Sequence, residues 1–396
     1  MRRGVRGRGA VCLVVAVLMA GCTGGTSGPS AGRSAAPRPS ATAASPQARP
    51  SPPATVARPF TLVGAGDVLA HNTIISQARG DAGGKGYTIG RMLAGVRPVI
   101  SGADVAICHM ETVYGRRGGP YTGWPLFKAP PQFARDLKNA GYDSCSTASN
   151  HTLDDGFAGA KRTLDEMDAV GLAHTGSYRS AADARSPAML RAGDALVAQL
   201  SYTYGTNGLP LPAGKPWTVN LIDVPKIIED ARAARAAGAD VVVVSVHWGT
   251  EWQEEPDALQ RRVAERLTRS RSGGRPDIDL ILGTHAHVPQ AYQKLHGVWV
   301  VFGMGDQIAG PMNDERGNWG TIARFTFSPP AAPGGQWLVT KAEFVPQIID
   351  LHRPGNPRVL NLAVDTAGGR LARVRDRIRA VTLSRGAAED GLTMGS

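Results

Sequence analysis

The chain has 396 residues, of which 42% are apolar, enough for the core of one large domain or of two smaller ones. Its formal charge of +11 is unevenly placed, because residues 1–60 carry eight arginines and no lysine or acidic residue. The rest of the chain has 36 basic against 33 acidic side chains. A nearly neutral globular part excludes nucleic acid as the expected partner.

The N-terminus has the pattern of an export signal. Four arginines precede an apolar run over residues 10–20, which is too short to span a bilayer. The run ends in LMAGC (18–22), which resembles a bacterial lipoprotein signal whose cysteine becomes the lipidated N-terminus. Met19 stands where leucine is usual. We expect a signal peptide over residues 1–22 and lipidation of Cys22, so that the exported protein is anchored on the outer face of the cell membrane. An ordinary secretory signal with an incidental cysteine remains the alternative.

A segment of low complexity follows. Residues 23–58 contain only Gly, Ala, Ser, Thr, Pro and Arg, apart from Gln47 and Val56. Such a composition buries too little apolar surface to fold. We therefore predict a disordered tether between the membrane anchor and the folded domain.

From residue 60 onward, apolar runs typical of strands end in polar turns, and helical patterns lie between them. The strand-like runs cover 61–63, 104–108, 142–148, 241–246 and 278–282, and the helical patterns cover 131–140, 157–170, 224–237 and 256–270. This alternation predicts βαβ units, a mostly parallel core sheet and an α/β fold.

The C-terminal third has a different pattern. Further strands are predicted over 320–327, 337–349 and 358–364 and are expected to complete a second sheet, and 371–381 has the pattern of a basic, solvated surface helix. We place the folded domain at residues 59–350 and a C-terminal extension at 351–396. Cys108 and Cys145 lie in apolar runs. We expect buried free thiols there, with a disulfide between them as the alternative.

Polar side chains with metal-binding chemistry follow the predicted strands. They are Asp67, His71, Glu111, Asn150, His151, His247, His285 and His287. In a parallel sheet the C-terminal strand ends share one edge, where ligands bind. Carboxylate, imidazole and amide groups suit Mn, Fe or Zn. The set is too large for one divalent ion and sufficient for two bridged by a carboxylate.

His285 and His287 stand two positions apart in GTHAHVPQ (283–290). In extended chain such residues point to the same side, so both imidazoles are expected to face one spot. Taken singly, each candidate has an ordinary reading. His287 could be a hydrogen-bonded core histidine, Asn150 a helix N-cap, Asp67 a turn residue, and Glu111 a partner of Arg116 or Arg117.

Taken together, these residues resemble the motifs of calcineurin-like metallophosphoesterases, and more closely those of the CapA-type poly-γ-glutamate capsule proteins. The matching stretches are GDVLAH (66–71), HMET (109–112), FKAPPQFARDLKNAGYD (127–143), ASNHTLDDG (148–156), SYTYGTNG (201–208), VSVHWGTEW (244–252), LILGTHAHVPQ (280–290) and VVFGMGD (300–306). The resemblance implies a metallophosphoesterase-like β-sandwich flanked by helices.

The resemblance also implies roles for individual residues. One metal ion would be held by Asp67 and His287, with His71 as a further candidate. A second would be held by Asn150, His247 and His285, with Glu111 bridging the two ions and His151 acting as general acid or leaving-group stabiliser.

The sequence departs from the family pattern at four places. His71 lies four residues after Asp67, where phosphoesterases have their histidine two residues after the aspartate. Glu111 replaces the bridging aspartate of the phosphoesterases. His109 replaces an asparagine of the capsule family, and Gly305-Asp306 replaces a Gly-Asn pair.

The function implied by the resemblance is the synthesis, anchoring or release of poly-γ-glutamate or a related surface polymer, beside the capsule machinery, through metal-activated water. Two alternatives stay open. One is a general metal-dependent phosphoesterase. The other is a non-catalytic polymer-binding scaffold, with a metal kept for structure and a binding rim formed by Trp124, Lys128 and residues 202–207.

Overall fold

The structure is a computed structural model that describes residues 57–332, 334–352, 356–364 and 368–396. The predicted signal peptide, Cys22 and all but the last two residues of the predicted tether lie outside these ranges and stay predictions. The described residues group into a single compact unit. None of the helices within the described ranges combines the length and the hydropathy needed to cross a bilayer.

The described ranges form seven α-helices and seventeen β-strands. The helices are α1 (Asn72–Asp81), α2 (Arg97–Ser101), α3 (Gln132–Ala140), α4 (Gly156–Asp168), α5 (Val224–Ala236), α6 (Ala258–Arg269) and α7 (Gly369–Thr382). The strands are β1 (Phe60–Val68), β2 (Val105–Met110), β3 (Ser144–Ser146), β4 (Ala173–Thr175), β5 (Ala188–Ala192), β6 (Ala195–Thr203), β7 (Val241–His247), β8 (Arg271–Ser272), β9 (Arg275–Pro276), β10 (Leu280–Thr284), β11 (Tyr292–Leu295), β12 (Val298–Val301), β13 (Asp306–Ile308), β14 (Trp319–Ser328), β15 (Leu338–Asp350), β16 (Arg358–Asn361) and β17 (Leu392–Met394).

The first sheet has the order β16-β15-β14-β1-β2-β3-β4, with β13 beside β1 and β17 beside β15. β1 to β4 are parallel, whereas β14 runs antiparallel to β1 and pairs Phe60 with Phe327. The C-terminal strands therefore extend the first sheet, and the expectation that they complete a second one is wrong. They satisfy the backbone groups at the edge of β1, which would otherwise be left unpaired.

The second sheet has the order β11-β12-β10-β7-β6-β5. Its central strands β6, β7, β10 and β12 are parallel, and β5 and β11 flank them antiparallel. In both sheets the predicted βαβ strands therefore direct their C-terminal ends to one edge.

The two sheets pack face to face and helices cover their outer faces. Leu62 and Ile107 of the first sheet share a core cluster with Val243 and Leu282 of the second. α1 and α3 pack on the outer face of the first sheet, and α5 and α6 on that of the second. A Cβ at Gly64 would lie 2.7 Å from the Leu282 side chain, so the sheets approach closely there. The predicted α/β class, a β-sandwich flanked by helices, is confirmed.

Cys108 and Cys145 are joined by a disulfide, so the expectation of free thiols is wrong. The two cysteines are register partners in the adjacent parallel strands β2 and β3, and their Cα atoms are 4.4 Å apart. This separation lies at the short end of the range that a disulfide spans. The sequence could not show it, because strand register is a tertiary property.

The C-terminal helix is more than a solvated element. Val374 and Ile378 of α7 are buried against Trp319 and Ile348, while its basic side chains form ion pairs such as Arg377 with Glu254. β16 and β17 both pair with β15, so residues beyond 350 contribute strands to the first sheet. The domain boundary at residue 350 stays a prediction.

Candidate metal centre

Two glycines place a pair of carboxylates at the end of β1. A Cβ on Gly66 would overlap the carbonyl oxygen of Gly305, so only glycine allows this approach. The Asp67 N–H donates to that same oxygen at 3.0 Å. Asp67 and Asp306 are then register partners, and both are fully buried.

The two histidines of the GTHAHVPQ stretch lie beyond β10, which ends at Thr284. Their φ angles are 92° for His285 and 55° for His287, in the left-handed region that non-glycine residues rarely occupy. The expected extended geometry is therefore wrong, yet the two rings do come together, with centroids 5.8 Å apart. The His285 N–H donates to Asp67 Oδ2 at 3.0 Å and fixes the turn against β1. Backbone strain of this kind is concentrated at functional sites.

The first group of side chains that could hold a metal ion contains Asp67, His287 and Asp306. His287 Nδ1 lies 3.0 Å from Asp306 Oδ1 and 3.8 Å from Asp67 Oδ2. Asp67 and His287, which the family resemblance assigns to one ion, therefore lie close together, and their service as ligands stays a prediction. Asp306 was not expected to take part.

The second group contains Glu111, His247 and His285. His247 Nε2 lies 3.7 Å from Glu111 Oε1 and 2.9 Å from Asn150 Oδ1. His247 Nδ1 is 3.0 Å from Thr284 Oγ1. This contact turns Nε2 toward Glu111 and Asn150, as outer hydrogen bonds do in metal sites.

Sequence reasoning missed the part played by His109. Its Nδ1 lies 2.7 Å from Ser146 Oγ, and its Nε2 lies 3.6 Å from Asp67 Oδ1. With Asp67 and His247 it forms a further group with metal-binding geometry. A signal was present for both missed residues, because His109 and Asp306 occupy the positions where the sequence departs from the family motifs.

Buried polar atoms without a hydrogen-bond partner converge on this site. Among the described residues they include both Glu111 carboxylate oxygens and one atom each of Asp67, His109, His285 and Asp306. Burying such groups unpaired is unfavourable. Bound cations would satisfy them, and the oxygen and imidazole donors match the preferences of Mn, Fe and Zn. The residues present therefore fit a metal site.

Burial shifts the pKa values of the acidic and histidine side chains at this site. Burial, reinforced by Asp306, raises the pKa of Asp67 to about 8, and burial raises the pKa of Asp306 to about 6. Burial lowers the pKa of His109 to about 3 and also lowers the pKa of His285. For His287 the effect of burial is outweighed by Asp306 and Glu111, so its pKa is raised. Divalent cations would reverse the cost of ionising the carboxylates.

His151 lies at the site with an acidic partner. Its Nδ1 is 2.7 Å from Asp154 Oδ2, and the same oxygen accepts a hydrogen bond from the Phe127 N–H at 2.7 Å. The Phe127 ring packs edge-on against His151, with centroids 4.8 Å apart. The imidazole is therefore held in one orientation, which suits a proton-transfer role.

The structure does not support the alternative roles considered for Asn150, Asp67 and Glu111. α4 begins at Gly156 with Asp155 as its N-cap, so Asn150 does not cap it. Asp67 lies within β1 and not in a turn. Arg117 pairs with Glu166, whereas neither carboxylate oxygen of Glu111 has a hydrogen-bond partner in the described structure.

His71 stands apart from the other candidates. Its Nδ1 accepts a hydrogen bond from the Gly310 N–H at 3.1 Å. It belongs to none of the four groups of described histidines and carboxylates that could hold a metal ion. Burial lowers its pKa to about 4. Its ring lies on the wall of the cavity, and its service as a ligand stays a prediction.

A cavity of about 770 Å³ opens above the site. Its walls include Asn150, His151 and His287 together with Trp124, Leu126, Phe127, Asn207, Leu209, Glu251, Trp252 and Met312. Of the predicted rim, Trp124 and Asn207 line this cavity and Lys128 does not. The Tyr202 hydroxyl donates instead to Asp230 of α5 at 2.6 Å.

The geometry defines a class: an α/β sandwich whose buried carboxylates and histidines could bind metal at the strand ends, beneath an open cavity. The model of the family described as "Bacterial capsule synthesis protein PGA_cap" matches residues 61–311, well over half of the chain. The protein belongs to this family, as the motif resemblance predicted.

Two curated relatives illustrate the family. PGA biosynthesis protein CapA of Bacillus subtilis is 28% identical over 171 residues, which cover 43% of each chain. Capsule biosynthesis protein CapA of Bacillus anthracis is 24% identical over 181 residues, which cover 45% of this chain and 43% of the relative. The matched region thus spans less than half the length of either relative.

Solved structures show a more distant likeness. A 5'-nucleotidase precursor from Thermus thermophilus superposes with a TM-score of 0.44 at 14% identity, covering 82% of this chain and 58% of that one. The calcineurin-like phosphoesterase YfkN from Bacillus subtilis gives 0.43 at 13% identity, covering 83% and 98%. At these TM-scores the likeness carries no argument about activity, and the assignment rests on the family model.

Proposed function

We propose that this protein acts at the cell surface in the synthesis, anchoring or release of poly-γ-glutamate or a related polymer, through a di-metal hydrolase-like site. The observation that carries the proposal is the convergence of unpartnered, buried carboxylate and imidazole atoms beneath a cavity. The names of the CapA relatives support the choice of polymer. Export and lipidation at Cys22 complete the proposal.

The ligands divide between two divalent ions, Mn, Fe or Zn. Asp67, His287 and Asp306 would hold the first ion, with His71 as a further candidate. Asn150, His247 and His285 would hold the second. Glu111 would bridge them, and His109 lies close enough to Asp67 Oδ1 to share the site.

Bound divalent ions would supply an activated water and polarise the oxygen of the bond under attack. The protein's own side chains do the rest. Thr284 and Ser146 hold the rings of His247 and His109 in place. His151, oriented by Asp154, is placed to give a proton to the leaving group.

The same geometry is compatible with two alternative functions. A general metal-dependent phosphoesterase would use the same ligands on a phosphate-linked substrate. A polymer-binding scaffold would keep the metal for structure and use the cavity without turnover.

The test measures metal and turnover on the same preparation. Elemental analysis should find about two divalent ions per chain. Gel filtration should show that purified poly-γ-glutamate becomes shorter when the metal-loaded protein is added. Glu111→Gln should lower both signals, whereas Glu229→Gln on the exposed surface of α5 should lower neither. Turnover of simple phosphoesters with intact polymer would favour the phosphoesterase, and metal binding without any turnover would favour the scaffold.

A further inference from the structure

The charge of the cavity walls is unusual for a protein expected to handle a polyanion. No lysine or arginine is found among the described residues that line the cavity. The acidic side chains on the walls are Asp154, which is engaged by His151 and Phe127, and Glu251. The Glu251 side chain is exposed, and the described residues form neither a hydrogen bond nor an ion pair with it.

Glu251 lies beside His285 and His287, and the three side chains form the fourth group of described residues that could hold a metal ion. One of its carboxylate oxygens lies within 4.8 Å of ligand atoms of both His285 and His287. The next residue, Trp252, donates its N–H to the Ala286 carbonyl at 2.9 Å. Its ring centroid lies 5.6 Å from that of His287. Because this turn is tied to the histidine loop, the carboxylate faces the cavity at the edge of the metal-binding groups.

Aromatic side chains also line the cavity, among them Trp124, Phe127 and Trp252. Trp124 is 73% exposed and occupies the tip of a turn that is closed by two backbone hydrogen bonds between Thr122 and Lys128, at 3.1 and 2.8 Å. Leu126, which is 51% exposed, and Phe127 belong to the same turn. A carboxylate among tryptophan faces attracts organic cations through charge and through cation–π contact. The described residues of these walls offer an anionic group no lysine or arginine.

We propose that Glu251, Trp252 and Trp124 form the subsite for the amine half of an amide substrate. The proposal rests on the proposed function and selects an amide linkage over a phosphate linkage for the same site. In amide hydrolysis the oxygen of water bonds to the carbonyl carbon and the carbon–nitrogen bond breaks. Both protons of the water end on the nitrogen, so the products are a carboxylate and an ammonium. The ammonium is the charge complement of Glu251.

The test measures binding of small cations to the metal-loaded full chain by isothermal titration calorimetry. The probes are pentylammonium, pentyltrimethylammonium, which has no lone pair to offer a metal ion, and the neutral 1-pentanol. Both cations should bind more tightly than 1-pentanol. Glu251→Gln should weaken binding of pentylammonium by about tenfold to a hundredfold, as for the loss of a charged hydrogen bond, and leave binding of 1-pentanol unchanged.

Glu229→Gln is the matched control, because Glu229 is an exposed glutamate on α5, and it should change none of these affinities. Equal affinity of Glu251→Gln and the unaltered protein for pentylammonium would overturn the proposal. Loss of metal from Glu251→Gln would also overturn it, because Glu251 would then be a ligand. A protein that binds the cations through Glu251 but leaves poly-γ-glutamate intact would contradict the proposed polymer and keep the amine subsite.

Discussion

Asp67, near the C-terminal end of β1, and Asp306, the first residue of β13, are register partners in a parallel strand pair, and no solvent reaches either carboxylate. His287 Nδ1 lies within 3.8 Å of an oxygen from each. Two buried acids side by side resist ionisation unless a cation lies between them. The pair therefore links the fold of the protein to any metal ion that it binds, and the first two predictions depend on it.

The first prediction concerns how the ligands are shared. If two ions are bound, His247→Ala should lose the same ion as His285→Ala, because both belong to the Glu111 group. His287→Ala should resemble Asp67→Ala and Asp306→Asn. Each variant should retain about one ion per chain, measured by elemental analysis with circular dichroism to confirm folding. His296→Ala, at the surface beside Glu265, is the control. Full metal content in folded His247→Ala and His287→Ala would refute the two-ion arrangement.

The second prediction concerns pH. The pKa of Asp67 is raised from 3.8 to about 8 in the metal-free protein, so its contribution to stability is full below the lower value and is lost as pH rises toward the higher one. Between roughly pH 7 and 8.5 the melting temperature of the chelator-treated protein should therefore fall, while that of the metal-loaded protein should not. Scanning calorimetry of both forms measures the difference between their melting temperatures, which should widen as the pH rises. Chelator-treated Asp67→Asn should show a smaller decline, because burial also raises the pKa of Glu111, and a decline of equal size in that variant would assign it wholly to other groups.

The third prediction concerns proton transfer by His151. His151→Gln should lower kcat by about 10²- to 10⁴-fold on any substrate with a poor leaving group, with metal content unchanged. Asp154→Asn should act in the same direction but less strongly, because it removes only the partner that orients the ring. Activity on an activated ester, whose leaving group needs no proton, should be nearly spared. An equal loss on both kinds of substrate would make His151 a structural residue.

Most of the architecture and the location of the candidate site could be predicted from the sequence. Strand-like runs followed by Asp67, Glu111, Asn150 and His247 were enough to predict parallel strand ends that meet. The backbone conformation of His285 and His287 could not be predicted, because their left-handed turn is held by Asp67, and Asp67 and His285 are 218 positions apart in the sequence. The placement of Asp306 depends in the same way on the close approach of two glycines. Strand order was mistaken after residue 301, since local patterns do not show which sheet edge a strand joins.

The fourth prediction concerns the disulfide between Cys108 and Cys145. Peptide mapping without reductant should recover the two cysteines in one linked peptide. The double variant Cys108→Ser, Cys145→Ser should lose about 3–4 kcal/mol of unfolding free energy, because the crosslink closes a loop between residues separated by 37 positions. Denaturant titration measures the loss. Alkylation of both thiols in the native, never-reduced protein would contradict the bond.

The fifth prediction concerns the anchor. Cys22→Ser should prevent lipidation and move the protein from the membrane fraction to the medium or to an uncleaved precursor. Intact mass and detergent partitioning measure the change, and Cys12→Ser within the predicted signal serves as the control. If Cys22→Ser leaves both mass and partitioning as they were, the cysteine is incidental and the protein is secreted by another route.

Glu254 binds the C-terminal helix to the wall of the cavity. It pairs with Arg377 of α7 and with Arg316, and the Arg316 guanidinium also donates to the Trp252 carbonyl at 3.2 Å. The turn that carries Glu251 is therefore buttressed by a helix more than a hundred residues further along the chain. A shortened protein that ends before α7 would keep every candidate metal ligand and still lose part of the support for the cavity wall, so truncation would test whether the shape of the cavity can change while the candidate metal site stays in place.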